Sequence, residues 1–240
     1  MGLPKPFYQD DWATIYNADC RDILPLLEPV DLVLTDPPYG INYDRNKKHR
    51  GVVENNRVIG DDKAFDPQFL LSMGNLILWG ANCYASRLPD SFTWLAWKKT
   101  FTDNNGGQTA DMELAWTNCI GRSRHFEYLW AGCYREGESG EYYHPTQKPI
   151  ELMRWCIGLV KKANSILDPF MGSGTTLRAA KDLGRKAIGI EIERRYCDIA
   201  IKRLQQECLP FSIESNPKEA SFAETSFLPL DDNDHKGQRG

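Results

Sequence analysis

The sequence predicts an α/β fold in which helices cover a largely parallel β-sheet. Short apolar runs typical of buried strands alternate along the chain with segments of helical periodicity. A glycine-rich turn also lies directly between one such strand and a helix, at residues 168–176. In open α/β sheets a turn of this kind stands at the carboxyl ends of the strands, where ligands bind. The pattern therefore predicts one α/β domain with a ligand site at that edge.

Seven segments are predicted as strands, because each is a short run rich in apolar and β-branched residues. Several are apolar almost without interruption, which is typical of strands that are covered on both faces. The runs are Ala13–Asn17, Val30–Thr35, Asn75–Trp79, Phe92–Trp97, Met112–Trp116, Ser165–Asp168 and Lys186–Ile192.

Four segments are predicted as helices from their capping residues and their apolar spacing. Asp66 followed by Pro67 supplies an N-cap and a proline suited to the first helical turn. Thr175 and Thr176 can cap the helix after the glycine-rich turn, and Gly184 can end it. A further helix opens at Pro149 and continues to about Lys162. The last predicted helix is amphipathic, because one set of residues recurs at helical spacing. These residues are Tyr196, Ile199, Ala200, Arg203, Leu204 and Cys208.

Composition limits the class of protein. Of the 240 residues, 41% are hydrophobic and 26% charged, which is typical of a globular domain and excludes a mainly disordered chain or a fibre. The 29 basic and 33 acidic residues give a net charge of −4, so no overall positive field attracts nucleic acid. The seven cysteines lack zinc-ligand spacing, so no metal is expected. Their odd number, without a signal peptide or a membrane-length apolar run, predicts a cytoplasmic protein with no membrane partner.

The end of the chain differs in composition from the rest. Residues 209–240 are rich in Ser, Glu, Asp and Pro, and their six acidic and three basic residues carry most of the net negative charge. We therefore expect a single domain over residues 1–208 and a mostly disordered acidic tail over 209–240. Docking of Phe222, Phe227 and Leu228 on the domain is the alternative.

The glycine-rich segment is predicted to run strand, tight turn, helix. Gly172 and Gly174 allow a ligand to approach the backbone, and the helix after them offers free N–H groups. A P-loop is excluded because no lysine follows Gly174, and Leu177 replaces the third glycine of the dinucleotide fingerprint. Glu191 ends the next strand and is placed to bind ribose hydroxyl groups. These features predict a nucleoside ligand without a polyphosphate, against the alternative of a purely structural turn.

A stiff acidic segment, Asp36-Pro37-Pro38-Tyr39-Gly40, directly follows the second predicted strand. Its prolines hold φ at about −65° and remove two N–H donors. The Asp36 carboxylate and the Pro37 carbonyl then form a rigid pair of acceptors beside the Tyr39 ring. Such a pair can hold both hydrogens of an NH₂ group while the ring stacks on a flat heterocycle. The segment therefore predicts a site for a planar group that carries an amine.

Three motifs in a fixed order carry a resemblance to a known family. They are Asp36-Pro-Pro-Tyr39, His144-Pro-Thr-Gln-Lys-Pro149 and Asp168-Pro-Phe-Met-Gly-Ser-Gly-Thr-Thr176. Over about residues 12–208 the chain resembles the S-adenosylmethionine-dependent DNA amino-methyltransferases, which methylate adenine N6 or cytosine N4. The catalytic motif precedes the cofactor turn, a circularly permuted order that is similar to the family's beta group. A cytosine-C5 methylase is excluded, since none of the cysteines follows a proline.

The resemblance implies a Rossmann-like sheet of seven strands, mostly parallel with one antiparallel strand, and helices on both faces. The implied cofactor is S-adenosyl-L-methionine, with its methionine part at the glycine-rich turn, its ribose on Glu191 and its adenine near Asp19. Lys148 would approach its carboxylate end, with a solvated lysine at a helix start as the alternative. The implied cofactor-binding residues are Asp19, Thr146, Lys148, Asp168, Phe170, Gly172, Ser173, Gly174, Thr175, Thr176 and Glu191.

The implied reaction is methyl transfer to an exocyclic amine, with Asp36, Pro37, Pro38 and Tyr39 as the catalytic segment. Asp36 and the Pro37 carbonyl would accept the amine hydrogens, which makes the nitrogen a better nucleophile toward the sulfonium methyl group. The base must first leave the duplex, and Tyr39 would replace its lost stacking. Aspartate at the first motif position favours adenine in this family. Cytosine-N4 methylation, methylation of RNA amines and an inactive nucleic-acid-binding relative are the alternatives.

Basic residues near the catalytic segment are expected to contact double-stranded DNA, although runs of charge are often only solvated surface. A cluster that begins a few residues after Gly40 is placed to bind phosphates beside the pocket for the base. The candidate DNA-binding residues are Arg45, Lys47, Lys48, Arg50, Lys98 and Lys99. With no room for a separate recognition domain, specificity must come from the loops at 41–61, 100–111 and 119–143, or from a partner subunit. A homodimer is left open, and a short target sequence or loose selectivity is expected.

Overall fold

Nine strands form one sheet within the residues that the structure describes. The computed structural model describes residues 2–41, 59–99, 111–131, 134–135 and 147–206, all of them in the compact unit Met1–Glu207. The strands are β1 (Tyr8–Gln9), β2 (Ala13–Asn17), β3 (Leu32–Thr35), β4 (Leu76–Trp79), β5 (Trp94–Lys98), β6 (Met112–Thr117), β7 (Arg124–Glu127), β8 (Trp130–Ala131), β9 (Tyr134–Arg135), β10 (Ser165–Asp168) and β11 (Lys186–Glu191). The predicted tail at 209–240 lies outside the described residues, so its disorder and the boundary at 208 stay predictions.

The strand order across the sheet is β1-β2-β11-β10-β3-β4-β6-β5-β7, and β8 pairs with β9 in a separate two-stranded sheet. All seven predicted runs form strands, and they occupy the seven central positions. The strands from β2 to β4 in this order are parallel, whereas β6 is antiparallel to both β4 and β5. The mostly parallel α/β architecture is therefore confirmed.

The predicted total of seven strands is wrong, because an edge strand extends each side of the sheet. β1 pairs antiparallel with β2, which adds a second antiparallel strand, and β7 pairs parallel with β5. β1 has only two residues, and most of β7 is exposed. Neither has the buried apolar run from which a central strand can be predicted.

Different elements cover the two faces of the sheet. The helices are α1 (Cys20–Ile23), α2 (Ile150–Leu159), α3 (Thr175–Asp182) and α4 (Arg194–Gln205). Leu32 and Leu34 of β3 join the core that contains the buried residues of α2, α3 and α4. Val33, which lies between them in sequence, joins the opposite core, with α1 and residues of the segment 65–73. This two-sided cover explains why every residue of β3 and β4 is buried.

Three of the four predicted helices form, as α2, α3 and α4. The segment after Asp66 is not an α-helix, contrary to the prediction. Asp66 does accept a hydrogen bond from the Gln68 N–H at 3.1 Å, but the backbone bonds that follow join residues three apart, as from the Leu70 N–H to the Pro67 carbonyl. Gly74, with a φ of 88°, ends the segment before an α-helix can propagate. None of the helices in the described ranges is long and apolar enough to span a bilayer.

The parallel strands place their carboxyl ends at one edge of the sheet, and the functional candidates stand there. Because β2, β11, β10, β3 and β4 run in the same direction, the residues that end or follow them come to the same edge. In the order of the strands, these residues are Asp19, Glu191, Asp168, Asp36 and Gly80.

Close packing behind this edge can be tested at Gly189 in β11. Gly189→Ala is expected to lower the free energy of unfolding by about 1–3 kcal/mol, because overpacking a core carries that cost. The new Cβ would overlap with Met171 Sδ and lie 2.8 Å from a methyl group of Leu177, and both residues are buried. Urea unfolding of the two proteins measures the difference.

Gly158→Ala is the matched control for this substitution. Gly158 lies in α2, and a Cβ there would meet nothing within 4 Å. Alanine should therefore raise the free energy of unfolding by up to about 1 kcal/mol, as expected for an exposed helix position. A Gly189→Ala protein as stable as Gly158→Ala would contradict the packing at β11.

Candidate active site

Asp36, directly after β3, has both carboxylate oxygens engaged. The Tyr39 hydroxyl donates to Asp36 Oδ1, and the Lys148 ammonium donates to Oδ2 at 2.6 Å. Lys148 also donates to the Tyr39 hydroxyl at 3.0 Å, and its Nζ lies 5.5 Å from the centre of the Tyr39 ring. The catalytic aspartate suggested by the sequence therefore faces a cation whose side chain is only 6% exposed.

Glu113 of the antiparallel strand β6 is a second carboxylate in contact with Lys148. Its Oε2 forms an ion pair with Lys148 Nζ at 3.0 Å, and its Oε1 accepts a hydrogen bond from Lys99 Nζ at 2.8 Å. We call Asp36, Lys148, Glu113 and Lys99 the charged cluster. Its charges alternate in sign and sum to zero, which offsets the cost of removing them from water.

The charged cluster shifts the pKa values of its own members. Burial raises the pKa of Asp36 above its ordinary value, and the positive charge of Lys148 opposes that rise. Burial alone would also raise the pKa of Glu113, but the ammonium groups of Lys148 and Lys99 outweigh it and lower that pKa to about 2. The two carboxylates raise the pKa of Lys148 against the effect of burial. Glu113 and Lys148 are therefore charged at neutral pH.

Two further contacts hold the catalytic segment in place. Asp61 is buried, and its Oδ1 accepts hydrogen bonds from the Gly40 N–H at 2.8 Å and the Ile41 N–H at 3.3 Å. Gly80, directly after β4, has a φ of 67° and lies so close to the Tyr39 ring that a Cβ would overlap with it. The position of the ring therefore depends on the absence of a side chain at residue 80.

The glycine-rich turn forms between β10 and α3, as predicted. Gly172 and Gly174 have φ angles of 49° and 78°, in the left-handed region that favours glycine. The Gly172 N–H donates to Glu191 Oε2 at 3.0 Å, and the Glu193 N–H donates to Glu191 Oε1 at 2.8 Å. The predicted ribose acceptor is thus bonded directly to the turn.

Asp168 joins the glycine-rich turn to the strand that carries the catalytic segment. The Thr35 hydroxyl, at the end of β3, donates to Asp168 Oδ1 at 2.7 Å, and the Phe170 N–H donates to the same oxygen at 3.1 Å. Thr35 immediately precedes Asp36, so this bond fixes the two predicted motifs against each other. Phe170 packs edge-on against Phe65, with ring centres 5.6 Å apart.

Burial raises the pKa of two carboxyl groups at this edge toward neutrality. The pKa of Asp168 rises to about 6, opposed by the hydroxyl groups of Thr176 and Thr35. The pKa of Glu191 rises to about 7, opposed by the backbone N–H groups of Glu193 and Gly172. A cation or further hydrogen-bond donors placed on these groups would favour their charged forms.

Arg203 of α4 supports the glycine-rich turn from behind. Its Nη1 donates to the Ser173 carbonyl at 2.8 Å, to Ser173 Oγ at 2.9 Å and to Thr175 Oγ1 at 3.1 Å. α4 also packs tightly on the turn, because a Cβ at Gly174 would lie only 2.7 Å from the Cβ of Ala200. α4 therefore shapes the turn directly.

Neither predicted threonine caps α3. Gly174 is the N-cap residue, and no side chain makes a capping hydrogen bond there. The Thr175 hydroxyl instead accepts from Arg203, and the Thr176 hydroxyl bonds to Asp168. The capping prediction is wrong because tertiary partners engage both hydroxyl groups.

All of the predicted cofactor-binding residues except Thr146 lie within the described residues, and most of them surround the turn. Asp19 stands at the same edge, where it caps α1 by accepting from the Arg21 N–H at 2.9 Å. The Lys148 ammonium group contacts Asp36 and Glu113, and its approach to the carboxylate end of the cofactor stays a prediction. In the described part of the chain, no group of three or more His, Cys, Asp or Glu is placed to hold a metal ion.

The predicted DNA-binding residues fall into two groups. Arg45, Lys47, Lys48 and Arg50 lie outside the described residues. Lys98 and Lys99, at the end of β5, are described. The Lys98 side chain is 42% exposed and lies 3.7 Å from Glu127, which leaves it accessible. Lys99 is mostly buried and its ammonium group contacts Glu113, so its contact with DNA stays a prediction.

Sequence reasoning missed three residues that build the site, namely Asp61, Glu113 and Arg203. Two of them carried a signal in the sequence. Glu113 is the one charged residue in the apolar run Met112–Trp116, and Arg203 stands among apolar residues at helical spacing. A charge in such a position needs a buried partner. Asp61 carried no comparable signal, because acidic residues are common in loops.

Acidic residues at the carboxyl ends of parallel strands, beside a glycine-rich turn, are typical of α/β proteins that bind a nucleoside-type cofactor. Residues 45–202 match the family model of the DNA methylases. That match covers more than half of the chain, which therefore belongs to the S-adenosylmethionine-dependent DNA amino-methyltransferases of the N6/N4 family.

Individual relatives agree with this family. The chain is 28% identical to the type II methyltransferase M2.LlaDCHI of Lactococcus lactis subsp. cremoris, over 85% of this chain and 93% of that protein. It is also 28% identical to the type II methyltransferase M.HinfI of Haemophilus influenzae, over 95% of this chain and 76% of that protein. The PvuII DNA methyltransferase, cytosine-N4-specific, superposes with a TM-score of 0.59 at 14% identity, over 85% of this chain and 90% of that one. At that identity the likeness shows the fold alone.

The contact between residue 80 and the Tyr39 ring gives a test of the site geometry. Gly80→Ala is expected to destabilise the protein more than Gly60→Ala, because both glycines have positive φ but only Gly80 lies against the ring. The strain common to both variants is about 1–2 kcal/mol. Urea unfolding should show an additional loss for Gly80→Ala.

A double variant separates the overlap from the strain. Tyr39→Ala removes the ring, so Gly80→Ala should cost less in the Tyr39→Ala background than in the wild-type protein. Such non-additivity is expected only for residues in contact. Additive effects of the two substitutions would show that the ring does not lie against residue 80.

Proposed function

We propose that the chain methylates the N6 amine of adenine in double-stranded DNA, within a short target sequence. Membership of the family already establishes amino-methylation of DNA with S-adenosylmethionine as methyl donor. The observation that carries the assignment of the site is the 2.7 Å hydrogen bond from Thr35 to Asp168. Because Asp36 follows Thr35, this bond brings the proposed amine acceptor beside the proposed cofactor turn.

The residues at the turn fit the chemistry of S-adenosylmethionine, which carries a ribose diol, an ammonium group and a sulfonium group. Glu191 and Asp168 are carboxyl groups with raised pKa values, and hydroxyl donors or a cation would stabilise their charged forms. We assign the ribose to Glu191, the methionine part to Asp168, Phe170 and residues 172–176, and the adenine to the vicinity of Asp19. When bound, the cofactor supplies an electrophilic methyl group.

Asp36 is assigned the role of acceptor for the target amine. The lone pair of an exocyclic amine is delocalised into the ring, so the free amine is a weak nucleophile. Hydrogen bonds from its N–H groups to the Asp36 carboxylate and the Pro37 carbonyl would increase the electron density on nitrogen. Correct placement of the amine and this electrostatic effect supply most of the rate.

Adenine is proposed because aspartate stands first in the catalytic motif, where adenine-N6 members of the family usually have it. The base must leave the duplex to reach Asp36, and unstacking costs a few kcal/mol. Stacking on an aromatic ring returns roughly 1–3 kcal/mol per base, and we assign that contact to Tyr39.

Phosphate contacts are assigned to Arg45, Lys47, Lys48 and Arg50. Similarity to two type II methyltransferases supports a role in restriction–modification.

Expression in a methylase-deficient bacterial host tests this function. Single-molecule sequencing of host DNA should show N6-methyladenine at one short or loosely defined sequence. The Asp36→Ala variant should leave that sequence unmethylated, because the amine loses its carboxylate acceptor. N4-methylcytosine in place of N6-methyladenine would contradict the choice of base, and methylation of RNA alone would contradict the substrate.

The same variant provides the control for folding. Asp36→Ala should still bind S-adenosylmethionine, as measured by isothermal titration calorimetry, because the turn at residues 172–176 is intact. Methyl transfer by Asp36→Ala at a rate near that of the wild-type protein would exclude Asp36 as the acceptor.

The raised pKa of Glu191, about 7, predicts how cofactor binding depends on pH. Ribose hydroxyls bind best to the charged carboxylate, so below that pKa a proton must be released on binding. The affinity for S-adenosylmethionine should therefore fall about tenfold from pH 8 to pH 6. Calorimetry at pH 6, 7 and 8 measures this change.

Glu191→Gln is the control for the pH dependence. Glutamine does not titrate, so this variant should bind more weakly at pH 8 and lose little further affinity toward pH 6. Protonation of the ligand itself affects both proteins equally. Equal pH dependence in the two proteins would show that Glu191 is not the titrating group.

A further inference from the structure

Lys148 is held by more contacts than a lysine at the start of a helix requires. Its Nζ lies 2.6 Å from Asp36 Oδ2, 3.0 Å from Glu113 Oε2 and 3.0 Å from the Tyr39 hydroxyl. The backbone beside it is also fixed, because Trp130 Nε1 donates to the Gln147 carbonyl at 3.2 Å. The ammonium group is therefore placed by its surroundings, between two carboxylates.

The charged cluster is assembled from separate parts of the fold. Asp36 follows β3, Lys99 follows β5, Glu113 belongs to β6, and Lys148 precedes α2. Lys99 contacts Glu113 through Oε1, and Lys148 contacts it through Oε2. Each charge thus has a neighbour of opposite sign, and Asp36 is the member that also belongs to the catalytic segment.

We propose that Lys148 is a positioning residue, whose ammonium group, anchored by Glu113, keeps the Asp36 carboxylate charged and oriented toward the amine of the target base. The proposal adds a role for Lys148 to the function proposed above, and it rests on Asp36 as the acceptor of the amine hydrogens. It assigns Lys148 to the acceptor and not to the carboxylate end of the cofactor.

The physical reason is the burial of Asp36. A carboxyl group removed from water tends to keep its proton, and a protonated acid is a weaker acceptor for an amine. The titratable groups that face Asp36 are Lys148, Glu113, Tyr39, Asp168, Cys83 and Tyr84. Among these, Lys148 alone carries a positive charge, and Glu113 and Asp168 add negative charge. Removal of Lys148 therefore leaves the hydrogen bond from Tyr39 as the one contact in that set that favours the charged form of Asp36.

Direct titration of Asp36 tests the proposal without a methylation assay. The carboxyl resonance of Asp36 can be followed by ¹³C NMR in the full-length protein, and Asp36→Asn assigns it. In Lys148→Met its titration midpoint should rise by about one pH unit or more. In Lys148→Arg, which keeps the charge, the midpoint should stay near that of the wild-type protein. An unchanged midpoint in Lys148→Met would overturn the proposal.

Glu113→Gln provides a second variant whose effect has the opposite sign. Loss of this negative charge should leave the Asp36 midpoint unchanged or lower it, because Glu113 raises the pKa of Asp36. Glutamine keeps an oxygen that can accept a hydrogen bond from Lys148, so a rise of the midpoint like that in Lys148→Met would reflect general damage to the pocket and would overturn the proposal. If Lys148→Met does not fold, Lys148→Gln, which also removes the positive charge, decides the question by the same expected rise of the Asp36 midpoint.

Kinetics separate the two roles of Lys148. On duplex DNA, the ratio of kcat at pH 8.5 to kcat at pH 6.5 should be about tenfold larger in Lys148→Met than in the wild-type protein. The Kd for S-adenosylmethionine should stay close to the wild-type value. A weaker Kd with an unchanged pH profile would instead place Lys148 on the cofactor and overturn the proposal.

Lys186→Met is the matched control, because Lys186 is an exposed lysine at the start of β11, at the opposite end of that strand from Glu191. It should change neither the Asp36 midpoint nor the pH profile. If the wild-type protein methylates no DNA, the proposed function fails. The NMR titration then still shows whether Lys148 controls the charge of Asp36.

Discussion

The parallel pairing of β3 with β10 is the constraint on which the site depends. Two parallel neighbours must end at the same edge, so Asp36 and Asp168 meet although 131 residues lie between them. The register pairs Leu167 with Val33, and the Thr35 hydroxyl then reaches Asp168 at 2.7 Å. A shift of one residue would turn Thr35 to the other face and break that bond. The sheet therefore places the amine acceptor and the cofactor turn with a precision that loops alone would not provide.

This placement buries several charged groups, and the charged cluster offsets the free-energy cost of that burial. Asp36 and Glu113 would be costly to bury singly, and so would Lys148 and Lys99. Arranged with alternating sign they neutralise one another, and each ammonium group satisfies a carboxylate. The antiparallel strand β6 is essential here, since it brings Glu113 to the active edge. The strand β6, which is antiparallel to both of its neighbours, thus completes the electrostatics of the site.

The features that the sequence predicted are those set by local residue patterns. Apolar runs marked all seven central strands, two motifs marked Asp36 and the glycine-rich turn, and Glu191 was marked by its place at the end of the next strand. The two edge strands escaped prediction because a two-residue strand and an exposed strand have no apolar run. The contacts of Lys148 escaped it for another reason: an ion pair between residues 36, 113 and 148 depends on strand order and register. Strand order and register are not encoded in any single segment. The lone charge of Glu113 in the run Met112–Trp116 nevertheless indicated a buried partner.

The hydrogen-bond capacity of Asp36 explains how Lys148 can remain in place during the reaction. A charged carboxylate offers about four lone-pair sites, and Tyr39 and Lys148 occupy one on each oxygen. An amine hydrogen can therefore bond to Asp36 without displacing either partner. If Lys148 left, the same oxygen would lose the cation that keeps it charged. The arrangement thus allows the acceptor to stay charged before, during and after the base arrives, which a carboxylate dependent on the base alone could not do.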